Sequence, residues 1–168
     1  MEFEKVLLSR KSCRAYTDAP VEKEKLEKVV TAASLSPLGL PKDSRPHLTV
    51  VTDREMLKTL GGIFGPDRNC IYDAPALIIV SCPPSAPGIS EMNAACVVEM
   101  MALEATNLGL SNIYLYGVTA GLQKNADLMA KLSIPENHKP LSALALGYGV
   151  EGISECKKFE PVLTRNDI

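Results

Sequence analysis

Arg10-Lys11-Ser12-Cys13-Arg14-Ala15-Tyr16, running on to Asp18-Ala19-Pro20-Val21, is the stretch on which the reading of this chain turns. Three cations and a hydroxyl fall within five residues. Arg presents a fork of donors that matches phosphate oxygens, Lys adds a point charge, and Ser adds a neutral hydrogen bond. Taken by itself the cluster reads first as a solvated basic turn, because charged loops usually do nothing more. Upstream, Phe3, Val6, Leu7 and Arg10 recur at helical spacing and predict an amphipathic helix. Downstream, Pro20 opens a second helix with an apolar stripe of Leu26, Val29, Val30 and Ala33 and a Glu/Lys-rich outer face. Residues 36–46 hold three prolines and a glycine, which neither a helix nor a central strand tolerates, so they form a loop of restricted shape.

Beyond that loop, helix and strand signals alternate. His47 to Val51 reads as a strand. Thr52 and Glu55 form a plausible capping box for a helix carrying Met56, Leu57 and Leu60, which Gly61 and Gly62 end. Residues 76–82 (ALIIVSC) are apolar nearly throughout and rich in β-branched side chains, as in a strand buried on both faces. Ser90 is placed as the cap of a long helix reaching about Asn107, with Gly109 as its stop. Its run AACVVEMMALEA is apolar nearly all round, which predicts burial in a core or against a second subunit. Strands follow over 112–116 and 142–146, separated by a helix over 123–132, and a polar tail closes the chain. Helices and strands mixed in this order predict one α+β domain over residues 1–168.

The totals narrow the function classes. At 168 residues with 46% apolar and 23% charged residues, the chain can bury a core and is neither disordered nor collagen-like. A net charge of −2 and the lack of an aromatic platform argue against nucleic acid as a partner. Glu2 and Glu4 and the lack of a long apolar run exclude a signal peptide at the start and a membrane span. Five cysteines with no C-x-x-C spacing fit reduced thiols, hence a cytoplasmic setting, and no metal site. His47 and His138 have no metal-ligand spacing. Cys13, among the cations, is expected to be a small packed side chain.

Gly147-Tyr148-Gly149-Val150-Glu151-Gly152 matches the dinucleotide pattern G-x-G-x-x-G after a predicted strand. The pattern needs a following helix and a second strand with an acidic residue. Only residues 153–168 remain, broken by Pro161, so the glycines are read as letting the chain leave a sheet edge. Ser36-Pro37-Leu38-Gly39-Leu40-Pro41 can lie flat against a planar ring or be an ordinary rigid connector. Leu115-Tyr116-Gly117 can present backbone N–H groups to a ligand or be a plain strand end.

Each motif is weak alone, but their order resembles the nitroreductase family over roughly residues 4–165. The resemblance rests on Arg10 to Tyr16 with Asp18-Ala19-Pro20-Val21, and on Ser36-Pro37-Leu38-Gly39 in the place of a flavin-ring loop. It continues through Asp73-Ala74-Pro75 before a buried strand, Leu108-Gly109-Leu110-Ser111 followed by Tyr116-Gly117, and Ala143 to Gly149 as a last core strand. It implies a nitroreductase-like α+β fold, with a central mixed, mainly antiparallel sheet flanked by helices in an intertwined homodimer, and FMN at the interface. It also implies that Arg10, Lys11 and Ser12 hold the phosphate and ribityl chain. Arg14 would stabilise the charge that reduction places at N1 and O2 of the ring. Pro37, Leu38 and Gly39 would lie against the ring, backbone groups of Tyr116 and Gly117 would face N5 and O4, and Lys157 or Lys158 would complete the phosphate site. The chain departs from many relatives at Leu40, Pro41, Lys42 and Asp43, where an Asn and a Gln are common.

The implied activity is a ping-pong oxidoreductase. NAD(P)H reduces the flavin at N5, and a small electron-poor acceptor, nitroaromatic or quinone-like, is then reduced on the same face, with no obligatory side-chain acid. Two alternatives stay open. One is a flavin-binding sensor or reservoir without turnover; the other is a specialised flavin reaction such as dehalogenation.

Overall fold

The computed structural model describes residues 1–39 and 45–153. Ten elements follow one another: α1 (Phe3–Ser9), α2 (Lys23–Ser34), β1 (His47–Val51), α3 (Arg54–Gly61), β2 (Ala76–Cys82), α4 (Ile89–Asn107), β3 (Ser111–Leu115), α5 (Gly117–Leu122), α6 (Ala126–Lys131) and β4 (Lys139–Gly147). The four strands lie in the order β1-β2-β4-β3 and pair antiparallel throughout. The parallel contribution among the described residues is an isolated bridge between Ser12 and Asn112.

Strand alternation sorts the core into two layers. Ile78, Val80, Leu144 and Leu146 face α2 and α4, packing with Leu26, Val29, Val97 and Met101. Leu77, Ile79, Ala143 and Ala145 face the other way, against Leu57 and Leu60 of α3, Val118 and Leu122 of α5, and Leu128 of α6. Covering both faces explains why β2 is buried at every position although its sheet is antiparallel.

The helix starts differ from the expected ones. Asp53, not Thr52, caps α3: its side chain accepts from the Met56 N–H at 2.8 Å. Gly88, at φ 82°, caps α4, while Ser90 lies in the first turn with its hydroxyl turned back to the Pro83 carbonyl. α2 begins three residues after Pro20. The helix expected over 123–132 is two short helices, because Asn125 breaks the run and caps α6 at Leu128 N–H. On α1, Val6 is buried but Phe3 and Leu7 are exposed. On α4, one face meets the core while Met92 stays 61% exposed, and Cys96, Met100 and Leu103 on the same stripe are half-buried. An apolar stripe left open along α1 and α4 is the surface that the all-round apolar sequence demands.

Candidate functional site

The basic segment is held between two strand ends. Cys13 N–H donates to Asn112 O at 2.9 Å, Thr17 N–H to Tyr148 O at 2.8 Å, and Val150 N–H to Ala15 O at 3.1 Å. Residues 12–17 therefore run between the start of β3 and the chain leaving β4. Beneath them Asn112, 1% exposed, fixes β3 to the C-terminal half of α4 through Nδ2, which donates to Ala102 O at 3.1 Å and Thr106 Oγ1 at 3.0 Å. A small cavity of about 10 Å³ lined by Ser9, Lys11, Asn112 and Ile153 lies beside it. Asn112 Oδ1 has no partner.

The glycines of 147–152 serve this packing. A Cβ on Gly147 would sit 2.5 Å from the Pro75 ring and 3.1 Å from Tyr16, and one on Gly149 would sit 2.6 Å from Ser111 Oγ and 3.1 Å from Cys13 Sγ. The chain thus leaves the sheet here, and no helix follows through residue 153. Cys13 is packed, its thiol donating to Ala15 O at 3.2 Å. Tyr16 donates its hydroxyl to Ala145 O at 3.3 Å; burial above all, with Cys13 next, pushes its pKa above the ordinary phenol range, so it stays protonated.

Among the candidate anion ligands, Lys11 reaches Glu151 at 3.3 Å. Arg10 and Ser12 make no side-chain hydrogen bond or ion pair with described residues, and Arg14 lies over the Tyr72 ring at 6.0 Å. Tyr116 and Gly117 occupy the turn from β3 into α5, an element the sequence reading left as a strand end. Pro37, Leu38 and Gly39 are exposed, and the Gly39 N–H donates to Asn93 Oδ1 at 2.9 Å. Asn93 is 4% exposed, and its Nδ2, like the neighbouring Ser36 Oγ, has no partner. Lys157 and Lys158 lie outside the described residues. Asn93 and Asn112 are buried polar residues inside an otherwise apolar helix and strand, which the motif reading does not single out.

The structure does not bring these residues together within one chain. Gly39 meets α4 at Asn93, whereas Ser12 and Cys13 meet it, through Asn112, at Ala102 and Thr106. At 1.5 Å per residue these points are roughly 14–20 Å apart along the helix. His47 and His138, distant in sequence, meet edge to face at 6.2 Å; burial first, and then His138, lowers the pKa of His47. No cluster of three metal-type side chains occurs among the described residues, nor a helix long and apolar enough to cross a membrane.

Comparison with known proteins agrees with this architecture. The family model described as "Nitroreductase family" matches residues 7–63. A protein of Methanothermobacter thermautotrophicus whose assigned name is an NADH dehydrogenase/NAD(P)H nitroreductase is 32% identical over 165 residues, 96% of this chain and 84% of its own length. A protein of the same name from Archaeoglobus fulgidus is 30% identical, over 86% of this chain and 83% of its own. The crystal structure of a nitroreductase with bound FMN from Bacteroides fragilis superposes with a TM-score of 0.83 at 27% identity, covering 100% of this chain and 99% of that one. By sequence over almost its whole length, and by fold, this chain belongs to the nitroreductase family.

Proposed function

We propose that the protein is an FMN-dependent oxidoreductase that takes electrons from NAD(P)H and passes them to a small electron-poor acceptor, acting as a homodimer. The observation that carries this reading is the strip from Arg10 to Arg14. Its backbone is fixed to two strand ends, yet Arg10, Ser12 and Arg14 spend no side-chain hydrogen bond on the described protein. Donors that are held in place but unused suit an anionic ligand, and the names of the two archaeal relatives and of the FMN-bound neighbour support the class.

The residues present fit FMN. Arg10, Lys11 and Ser12 supply phosphate donors. The chain leaving β4 lines the small cavity beside Lys11 at Ile153. The orphaned Asn93 Nδ2 and Ser36 Oγ, beside Gly39, leave polar capacity at the ring loop. When bound, FMN supplies the redox chemistry, and the protein supplies binding, orientation and charge. Arg14 would supply a cation able to stabilise the negative charge that a reduced ring carries. Tyr16 keeps its proton as a structural donor, so the reading assigns no side-chain acid.

The same geometry supports the homodimer reading. The ring loop and the phosphate strip sit at opposite ends of α4, and α1 and α4 carry an open apolar stripe. A second chain laid antiparallel along that stripe unites the strip of one protomer with the loop of the other. The test is the visible spectrum of the FMN-loaded protein before and after anaerobic NADH or NADPH, with Arg10→Ala and Arg14→Ala alongside. Bleaching in the parent, with lower FMN occupancy or slower reduction in the variants, is expected. Unchanged flavin content and turnover in both variants would overturn the site, and bound flavin that neither nucleotide bleaches would overturn the reductase.

A further inference from the structure

On the face of the sheet that carries α3, a cleft of about 540 Å³ opens between α3 and the chain from 66 to 75. That volume lies within the range of small-molecule sites, about 300–1,000 Å³. None of the residues assigned above to FMN lines it. Its floor is apolar and closed: Val21, Leu57, Ile71 and Ala74 are each under a tenth exposed. Its rim is cationic. Arg54 and Lys58, four apart on α3, share one helix face, and Arg68 stands on the opposing loop.

The rim charges are not spent within the described protein. Arg54 gives one N–H to the Asp18 carbonyl at 3.1 Å, Arg68 lies over the Phe64 ring at 5.2 Å, and neither they nor Lys58 form an ion pair among the described residues. Of the two acids on the lining, Asp73 is already engaged by Asn69 Nδ2 at 2.6 Å. The chain along this side turns sharply: Tyr72 and Asp73, the second of them on the lining, are consecutive non-glycine residues at φ 58° and 55°, in a sparsely populated region. Asn69 supports that turn by accepting the Ile71 N–H at 3.1 Å.

We propose that this cleft binds the charged end of a reactant, an anionic group carried on a planar or apolar body. The assignment rests on the oxidoreductase reading. Two reactants have that chemistry: the phosphate-bearing part of the nicotinamide nucleotide, and an acceptor carrying a carboxylate or sulfonate. Apolar floor and cationic rim recognise the two halves of such a molecule separately.

The experiment is calorimetric titration of the FMN-loaded protein with naphthalene-2-sulfonate, then displacement by NADP⁺ or by 4-nitrobenzoate. The parent is compared with a Lys58→Glu/Arg68→Glu double variant and with Lys131→Glu, a reversal on α6 away from the cleft. One probe per chain is expected, weakened roughly tenfold or more in the double variant and unchanged in Lys131→Glu. Displacement by NADP⁺ identifies the nucleotide as the occupant, and displacement by 4-nitrobenzoate alone identifies an acidic acceptor. No probe binding, equal affinity in the double variant, or displacement by neither overturns the proposal. The visible flavin spectrum, followed in the same samples, reports separately on the FMN reading and on whether the variants are folded.

Discussion

Replacing Asn93 by Leu separates what this residue does for the fold from what it does for the ring loop. Asn93 makes one described hydrogen bond, accepting the Gly39 N–H at 2.9 Å, and its own Nδ2 is buried without a partner. Losing a neutral hydrogen bond costs about 0.5–1.5 kcal/mol, while removing an unsatisfied buried donor returns about 1–3 kcal/mol. Leu keeps the branched outline of Asn and is somewhat larger, so no cavity opens. Gly39 is exposed, so its freed N–H finds water. The net change runs from a loss of about 0.5 to a gain of about 2.5 kcal/mol. At roughly 2–4 °C per kcal/mol for a chain of this size, the melting temperature falls by no more than about 2 °C. The ring loop, however, loses its tie to α4. Ordering a backbone residue costs roughly 1–2 kcal/mol, so FMN must now supply that ordering, and its affinity falls about five- to thirtyfold. Quenching of flavin fluorescence on titration gives the affinity, and a thermal melt at fixed protein concentration gives the stability. A melting temperature lowered by more than 5 °C with FMN affinity unchanged would refute the reasoning, because Asn93 would then be a polar prop of the core alone.

Gly147→Ala places a methyl 2.5 Å from the Pro75 ring and is expected to destabilise by about 1–3 kcal/mol, with Pro75→Ala in the same chain recovering part of the loss in a calorimetric melt. Tyr148→Phe removes a hydroxyl that donates to both Glu22 oxygens at 2.7 and 2.8 Å and accepts from Lys25 Nζ at 2.6 Å. That hydroxyl is the leading reason that Glu22 titrates below, and Lys25 above, its ordinary range. A lowered carboxyl pKa stabilises the fold above the unfolded value and loses that contribution as pH falls through the folded one. Parent and variant should therefore differ at neutral pH and converge in acid, as read from urea midpoints across the pH range. A gap that persists below the carboxylate range would show that Tyr148 acts through packing. For Lys25 the sign is opposite, and its contribution fades as pH rises through its raised pKa.

What could be read from the sequence followed how locally each feature is determined. β2 matched residue for residue because Ala76 to Cys82 is apolar enough to be a strand wherever it packs. The basic strip could be read because all its donors lie within five residues. α5 was missed because Gly117-Val118-Thr119-Ala120-Gly121-Leu122 has poor helix propensity; Thr119 is held by its hydroxyl donating to the Tyr116 and Leu141 carbonyls, which only the fold supplies. The true caps at Asp53 and Gly88 sit within two residues of the expected ones, the usual uncertainty of a helix end. The Asn93 contact to Gly39 and the cleft beside α3 depend on residues tens of positions apart, which no local spacing announces.

The two halves of the proposed flavin site are anchored unequally, and that inequality bears on substrate choice. β4, buried from Pro140 to Gly147, pairs with both β2 and β3, and its exit pins residues 15–17. The basic strip is therefore held on both sides, by Asn112 of β3 at Ser12 and Cys13 and by the exit of β4 at residues 15–17. The ring loop is tied to α4 by one hydrogen bond to a side chain, and its exposed Pro37-Leu38-Gly39 carry few other constraints. On the proposed flavin reading, changes in that loop would alter what can approach the ring more than they alter the basic strip. A chain built this way can hold its cofactor by the rigid half and vary its acceptor through the adjustable one. Loop substitutions in 37–39 should accordingly shift acceptor preference more than FMN affinity, and strip substitutions in 10–14 should do the reverse.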